Sequence, residues 1–423
     1  MNRLLIVLLA LLVIASDTYW FAPWIRPDTI FCLCCAIWKD SIIGKKQMAP
    51  PTPAARNAQN ALKIIFSLFM LALILIDAYR GYILDTLPTY IIYSMMFMTF
   101  LIVEQNVNNY REIYFFILFS IFYNLFFVVF QKANIFITAG SLTGIIPGLG
   151  VERMFMGDTA QGLRVSGSFQ SCIPLSLLLG ILVCILVFSS KIFGNNKFNI
   201  FMVACCVWAL LNTQTRSAIL SLPVALLLSD IFISIKTVGR WKAIAKRILL
   251  LSLLLIVISF VGDKLMPAED SRLTTLDDTS SIQRYQINAY GVVGTLILSP
   301  WIGVSRDENK ALEAIVVGFE KIGNLFESQL ELIVTHHNEP AYYFRYYGII
   351  GFTLYLLLYI SIIRYIFVCK ADIALQKSLL AMIIYLFLFN LMHNTKLVGS
   401  LFVWILLTMN APRVETEPQQ WTH

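Results

Sequence analysis

Apolar residues in this chain come in long unbroken runs, near residues 4–21, 28–42, 62–80, 87–103, 113–130, 172–190, 198–213, 217–235, 247–262, 346–366, 378–393 and 397–411. A bilayer core takes about 20 apolar residues per helix, and inside lipid each backbone N–H and C=O must be satisfied within its own segment. The runs therefore predict an all-α, polytopic membrane protein with about twelve spans, the second and last of them short. No alternating pattern of a membrane β-barrel competes. The first run, from Leu4, lacks the short apolar region and small-residue cleavage site of a secretory signal, and ends in the interfacial aromatic cluster Tyr19-Trp20-Phe21-Ala22-Pro23-Trp24. It is read as a retained first span.

Two polar stretches separate the runs, a smaller loop at 131–171 and a large one at 263–345, between spans nine and ten. The large loop opens on Met266-Pro267-Ala268-Glu269-Asp270 and then predicts two helices. The first starts at Ser280, with Gln283 completing a capping box, and stops before Ser299-Pro300. The second runs from about Glu308 to Val334, with Leu312, Ile315, Val316, Phe319, Ile322, Phe326, Leu330 and Ile333 at helical spacing, and would lie over the bundle or along the bilayer surface. The chain is otherwise one membrane domain over 1–423, without internal repeats or a separate soluble part.

Composition agrees with this pattern: 58% of residues are hydrophobic, 13% are charged, and the mean hydropathy is +0.74, more apolar side chain than a soluble domain can cover. The net charge of +7 could suggest nucleic acid, but Lys and Arg concentrate in particular loops. Lys45, Lys46 and Arg56 follow span two, Lys236, Arg240, Lys242, Lys246 and Arg247 follow span eight, and Lys370 and Lys377 follow span ten. With twelve spans all three loops face one side. The positive-inside rule makes that side cytoplasmic, with both termini inside and the loops at 131–171 and 263–345 outside. Topology thus explains the charge without a nucleic-acid partner. The eight cysteines fall in or beside apolar runs, where thiols behave as small hydrophobes, and they form neither a disulfide framework nor a credible metal spacing.

Polar groups beside spans are costly, which singles out Thr213-Gln214-Thr215-Arg216, Gln283-Arg284 and His336-His337-Asn338-Glu339. The turn between spans seven and eight is so short that Arg216 should lie at the outer membrane face. Each group has a plain alternative: Arg216 snorkelling to lipid phosphates, Arg284 merely solvated, and the histidine pair hydrogen-bonding headgroups. Their common alternative is chemical. Two arginines can hold a diphosphate bidentately while a near-neutral imidazole takes a proton from an incoming hydroxyl, which is the requirement for group transfer from a lipid pyrophosphate. Zinc at adjacent histidines is a weaker reading, because the two rings point differently and no Cys or further His accompanies them. Asp277-Asp278 lacks a second carboxylate cluster and reads as a solvated approach to a helix.

From about Gly162 to Gly351 the chain resembles the bacterial O-antigen ligase and O-antigen polymerase superfamily. Arg164-Val165-Ser166-Gly167-Ser168-Phe169 is similar to that family's segment before a central span, and Gln214-Thr215-Arg216-Ser217-Ala218 to its Ser/Thr-Arg-small motif. Arg284 with Leu298-Ser299-Pro300-Trp301-Ile302-Gly303-Val304 resembles an Arg, helix, Pro-x-x-Gly pattern. His337-Asn338 with Tyr347-Gly348-Ile349-Ile350-Gly351 resembles a His-Asn, helix, Gly-x-x-Gly pattern. The usual second glycine after Gly303 is Ser305 here.

The resemblance implies a metal-independent, inverting glycosyltransferase without a cofactor, in the bacterial inner membrane with a periplasmic active site. Its donor would be an undecaprenyl-diphosphate-linked glycan and its acceptor lipid A-core, for a ligase, or another lipid-linked glycan, for a polymerase. Arg216 and Arg284 would bind the donor diphosphate and His337 would activate the acceptor hydroxyl. Asn338, Arg164, Arg345 and His336 are substrate-binding candidates, Arg164 and Arg345 by steering anions. The Gln-Thr-Arg form and the compact histidine loop favour the ligase. A transporter of lipid-linked sugar is the remaining alternative class, expected to carry charged or broken helices at mid-bilayer.

Overall fold

A computed structural model describes residues 19–20, 27–37, 52–104, 110–132, 150–151, 165, 167, 169, 172–189, 196–238, 279–323, 338–368, 372–397 and 400–410. These residues form an α-helical membrane protein, apart from a short antiparallel pairing of Tyr19–Trp20 (β1) with Gly150–Val151 (β2). The helices are α1 (Pro27–Ile37), α2 (Pro53–Tyr79), α3 (Ile83–Glu104), α4 (Tyr110–Lys132), α5 (Cys172–Ser189), α6 (Asn196–Asn212), α7 (Arg216–Val238), α8 (Thr279–Leu298), α9 (Glu308–Ile322), α10 (Glu339–Val368), α11 (Ile373–Asn390) and α12 (Leu401–Leu407).

Among the described residues, six helices are long and apolar enough to cross a membrane: α2, α3, α4, α7, α10 and α11. Cys172–Phe188, Lys197–Asn212 and Leu401–Asn410 are shorter apolar helices. The expected span at 247–262, and all of that at 4–21 but Tyr19 and Trp20, lie outside the described residues.

Local signals explain where the helices begin. Thr52 accepts the N–H of Ala55 at 3.2 Å, with Pro53 opening α2, and Asp372 accepts that of Ala374 at 2.7 Å to open α11. Asp307 does the same for α9 through Asn309, at 2.8 Å. Helix α9 ends at Ile322, where Gly323 takes a φ of +77°, so the described helix stops short of the expected Val334; residues 324–337 are outside the described set. Helix α10 starts earlier than the apolar run suggested. Its first two turns, Glu339 to Tyr346, hold Glu339, Arg345 and three tyrosines, which lower the hydropathy and placed them in the loop, yet all but Pro340 are buried.

Helix α2 packs against α10, α10 and α5 against α11, and α7 against α11. An aromatic nucleus joins α2, α3 and α12, with Phe66 stacked on Phe97 at 3.9 Å and Trp404 edge-on to Phe97 at 5.1 Å. Helices α8 and α9 form a hairpin with its own small core of Ile287, Tyr290, Ile315 and Phe319. The two backbones meet closely: a Cβ at Gly294 would lie 1.7 Å from the carbonyl oxygen of Ala314, and one at Gly318 2.0 Å from that of Tyr290. Helix α8 also rests on α10, which brings the hairpin to one end of the bundle. At the other end Lys377 of α11 pairs with Asp230 of α7, about 21 Å down α7 from Arg216 at 1.5 Å per residue. The antiparallel pair α7 and α11 is thus tied far from the end where the polar motifs gather.

Candidate functional site

The motifs converge on the loop Leu391–Leu397 that follows α11. Ser217, next to Arg216, shares a hydrogen bond with His393 Nε2 at 2.7 Å. Glu339, next to Asn338, donates its N–H to the carbonyl of His393 at 3.0 Å. Tyr285, next to Arg284, donates its hydroxyl to the sulfur of Met392. Val165, next to Arg164, donates its N–H to the carbonyl of Asn212 at 3.3 Å, at the turn that leads into Arg216. Segments from four distant stretches of sequence therefore share one end of the bundle.

Backbone strain marks the same place. Among the described residues, the non-glycine positions with positive φ are Gln214 at +51°, Asn338 at +75° and Lys396 at +53°, one in each of three segments that meet there. Left-handed backbone costs a side-chain-bearing residue about 1–3 kcal/mol, and such strain gathers at functional sites.

Arg216 is half-buried at the first position of α7. The exposed N–H groups there carry the positive end of the helix dipole, so a guanidinium at that position adds charge of the same sign. The combination suits an anion. Arg284 belongs to α8 by its backbone, but its side chain lies outside the described residues. So do His336, His337 and Arg164 entirely.

Asn338 acts as a helix cap. Its side-chain oxygen accepts the N–H of Ala341 at 2.9 Å and its carbonyl that of Tyr342 at 2.9 Å, which fixes the start of α10. Arg345, expected to steer anionic substrates, is instead buried, at 1% exposure. Its guanidinium lies 5.7 Å over the ring of Tyr346, and a Cβ at Gly291 of α8 would come within 2.5 Å of its Nε. The side chain packs α10 against α8, because α10 begins early enough to draw it inside. Burying a guanidinium is costly, and at this position the side chain is packed between the two helices rather than open to solvent.

Several polar residues of this end had no role assigned to them in the sequence. The buried carboxylate of Glu339 accepts the N–H of Leu397 at 2.9 Å and the amide of Asn390, pinning both ends of the Leu391–Leu397 loop to α10. On α2, Asp77 is buried and accepts hydrogen bonds from Tyr90 of α3 and, at 3.3 Å, from Tyr347 of α10. Arg306 lies 3.7 Å from Asp77 and donates to the hydroxyl of Tyr347. Burial lowers its proton affinity, but the phenol oxygens of Tyr342 and Tyr347 more than offset that, so the charge is retained. An Asp inside an apolar run and a Lys between the last two runs were the available signals.

Arg80, just after α2, holds the site's backbone together. Its guanidinium donates to the carbonyls of Tyr346 at 2.8 Å, Ile302 at 2.9 Å and Gly303. These carbonyls flank a kink in α10 at Gly348, where the Pro300-Trp301-Ile302-Gly303 turn inserts: Ile349 donates to Pro300 at 2.8 Å and Val304 to Arg345 at 2.6 Å. Arg80→Lys offers one ammonium in place of a planar fork and cannot satisfy three acceptors in that geometry. The expected outcome is a loss of about 1–3 kcal/mol, read as a lower unfolding temperature in detergent.

A search of curated proteins found no match to the chain. Residues 201–356, which hold Arg216, Arg284 and His337, match the family described as O-antigen ligase, and the chain is in this respect similar to the O-antigen ligase and O-antigen polymerase superfamily.

Proposed function

We propose that this protein is an O-antigen ligase, transferring a glycan from undecaprenyl diphosphate to a sugar hydroxyl of lipid A-core at the periplasmic face of the inner membrane. The observation that carries the reading is the convergence of Arg216, the Arg284 segment and the Asn338 cap on one loop. In the reaction the acceptor oxygen attacks the anomeric carbon from the face opposite the leaving group, and the bond from that carbon to the diphosphate oxygen breaks with inversion. His337 takes the acceptor proton. Arg216 and Arg284 hold the diphosphate as its charge grows, the kind of electrostatic stabilisation that commonly dominates such catalysis. Two guanidinium groups supply the positive charge, so the reaction as drawn runs without a metal. Asn338 orients His337 by fixing the backbone that follows it.

The test is direct. Purified protein in detergent, given a synthetic undecaprenyl-diphosphate glycan and lipid A-core, is expected to yield the coupled product. Longer lipid-linked glycan formed without lipid A-core would identify a polymerase instead. No transfer to either acceptor, with the donor still bound, would leave the transport of lipid-linked sugar as the activity.

A further inference from the structure

Beyond Arg216 and Arg284, two more cations meet at this end of the bundle, and neither belongs to the family motifs quoted above. The ammonium of Lys396 lies 5.2 Å from the ring centroid of Tyr342, and the guanidinium of Arg306 lies 5.9 Å from the same centroid. Arg306 keeps Asp77 as a counter-charge and is 27% exposed, so part of its fork faces outward. Lys396 is half-buried at a positive φ that only local constraint maintains. No carboxylate among the described residues comes within ion-pair distance of it.

Holding a lysine in that state is unfavourable in two ways. Burial lowers its proton affinity, and the charge of Arg306 lowers it further, against a partial pull from Glu339; the ammonium is pushed down to about 8. Two like charges held around one aromatic ring, one of them without an ion-pair partner among the described residues, become favourable when an oxyanion joins them.

We propose that Lys396 and Arg306 form an oxyanion subsite around the ring of Tyr342, taking a phosphoryl group of a substrate. This deepens the transferase reading and rests on it for the identity of that substrate. The phosphoryl group has two sources, the diphosphate of the lipid donor or a phosphate carried by the acceptor glycan. In either case Lys396 supplies a mobile point charge and Arg306 a fixed fork, and the aromatic ring keeps both extended.

Binding to the full-length protein in detergent distinguishes the possibilities without needing turnover. The probes are undecaprenyl diphosphate without glycan, and a phosphorylated core oligosaccharide compared with the same oligosaccharide after phosphatase treatment. Lys396→Gln is expected to weaken binding of the phosphorylated probe about tenfold or more, while Lys396→Arg restores it. Wild-type affinity should fall as pH rises through about 8, where the ammonium discharges, and the arginine variant should lose that fall. The groups facing Lys396 are Arg306, Glu339 and Tyr342, and Arg306 keeps its charge throughout this range. Weakening with undecaprenyl diphosphate assigns the subsite to the donor, and weakening only with the phosphorylated oligosaccharide assigns it to the acceptor. Unchanged affinity for both probes, with an unchanged pH profile and unfolding temperature, overturns the subsite. Failure of wild-type protein to couple donor and acceptor while these binding effects persist would remove the transferase reading and leave the subsite standing.

Discussion

His337→Ala is expected to lower glycan transfer by about 10²- to 10⁴-fold, the usual contribution of a positioned general base, while binding of the lipid diphosphate stays close to wild type. The split follows from the division of labour at the site. Diphosphate binding is assigned to cations, of which Arg216 sits at the N-terminus of α7 and is held near the loop by its neighbour Ser217. Removing an imidazole leaves that arrangement untouched. The acceptor hydroxyl, by contrast, loses the group to which its proton goes as the new bond forms. Transfer rate and donor affinity measured on the same preparation check the prediction. Unimpaired transfer would take His337 out of the mechanism, and a parallel loss of donor binding would make it a binding group.

Gly348→Ala is expected to disrupt the site's frame. Gly348 sits at φ +64° and ψ −160°, a region open essentially to glycine alone. A Cβ there would lie 2.4 Å from the carbonyl carbon and oxygen of Trp301, which belong to backbone that cannot move aside. Across the contact, Gly303 at φ +78° would place a Cβ 2.6 Å from the nitrogen of Gly348. The Pro-x-x-Gly and Gly-x-x-Gly patterns are thus two halves of one clasp, closed by Arg80 from α2. The alanine should cost at least about 3 kcal/mol, within the range of strain combined with a backbone clash. Poor recovery of folded protein, or a large drop in unfolding temperature together with loss of transfer, is the expected measurement. Gly81→Ala serves as the control: φ is +81° but nothing lies within 4 Å of its Cβ, so only the backbone cost of about 1 kcal/mol applies. Equal behaviour of the two variants would refute the clasp.

The two outcomes separate kinds of residue that the sequence presents alike. His337 and Gly348 both lie in short motifs with a family resemblance, yet one is assigned to proton transfer and the other sets the bend of α10. Asn338, a substrate-binding candidate in the sequence, also caps α10 in the structure. Arg345, a candidate for steering anionic substrates in the sequence, is buried in α10, which starts at Glu339.

What the sequence determined by itself is the solvent and the secondary structure. Long apolar runs admit only helices in lipid, and the caps that open helices, such as Thr52, Asp307 and Asp372 in the structure, act between near neighbours. The candidates proposed for the site, arginines with a histidine and an asparagine, were chosen for the same reason: polar residues beside apolar runs stand out. Only the tertiary structure decided which polar residues meet. Glu339, His393 and Lys396 join through hydrogen bonds and charge between α10 and the loop after α11, and Asp77 and Arg80 reach Tyr347 and Gly303 across more than two hundred residues of sequence. Such pairings depend on how the helices pack, and no local pattern of residues encodes the distance between two helix ends.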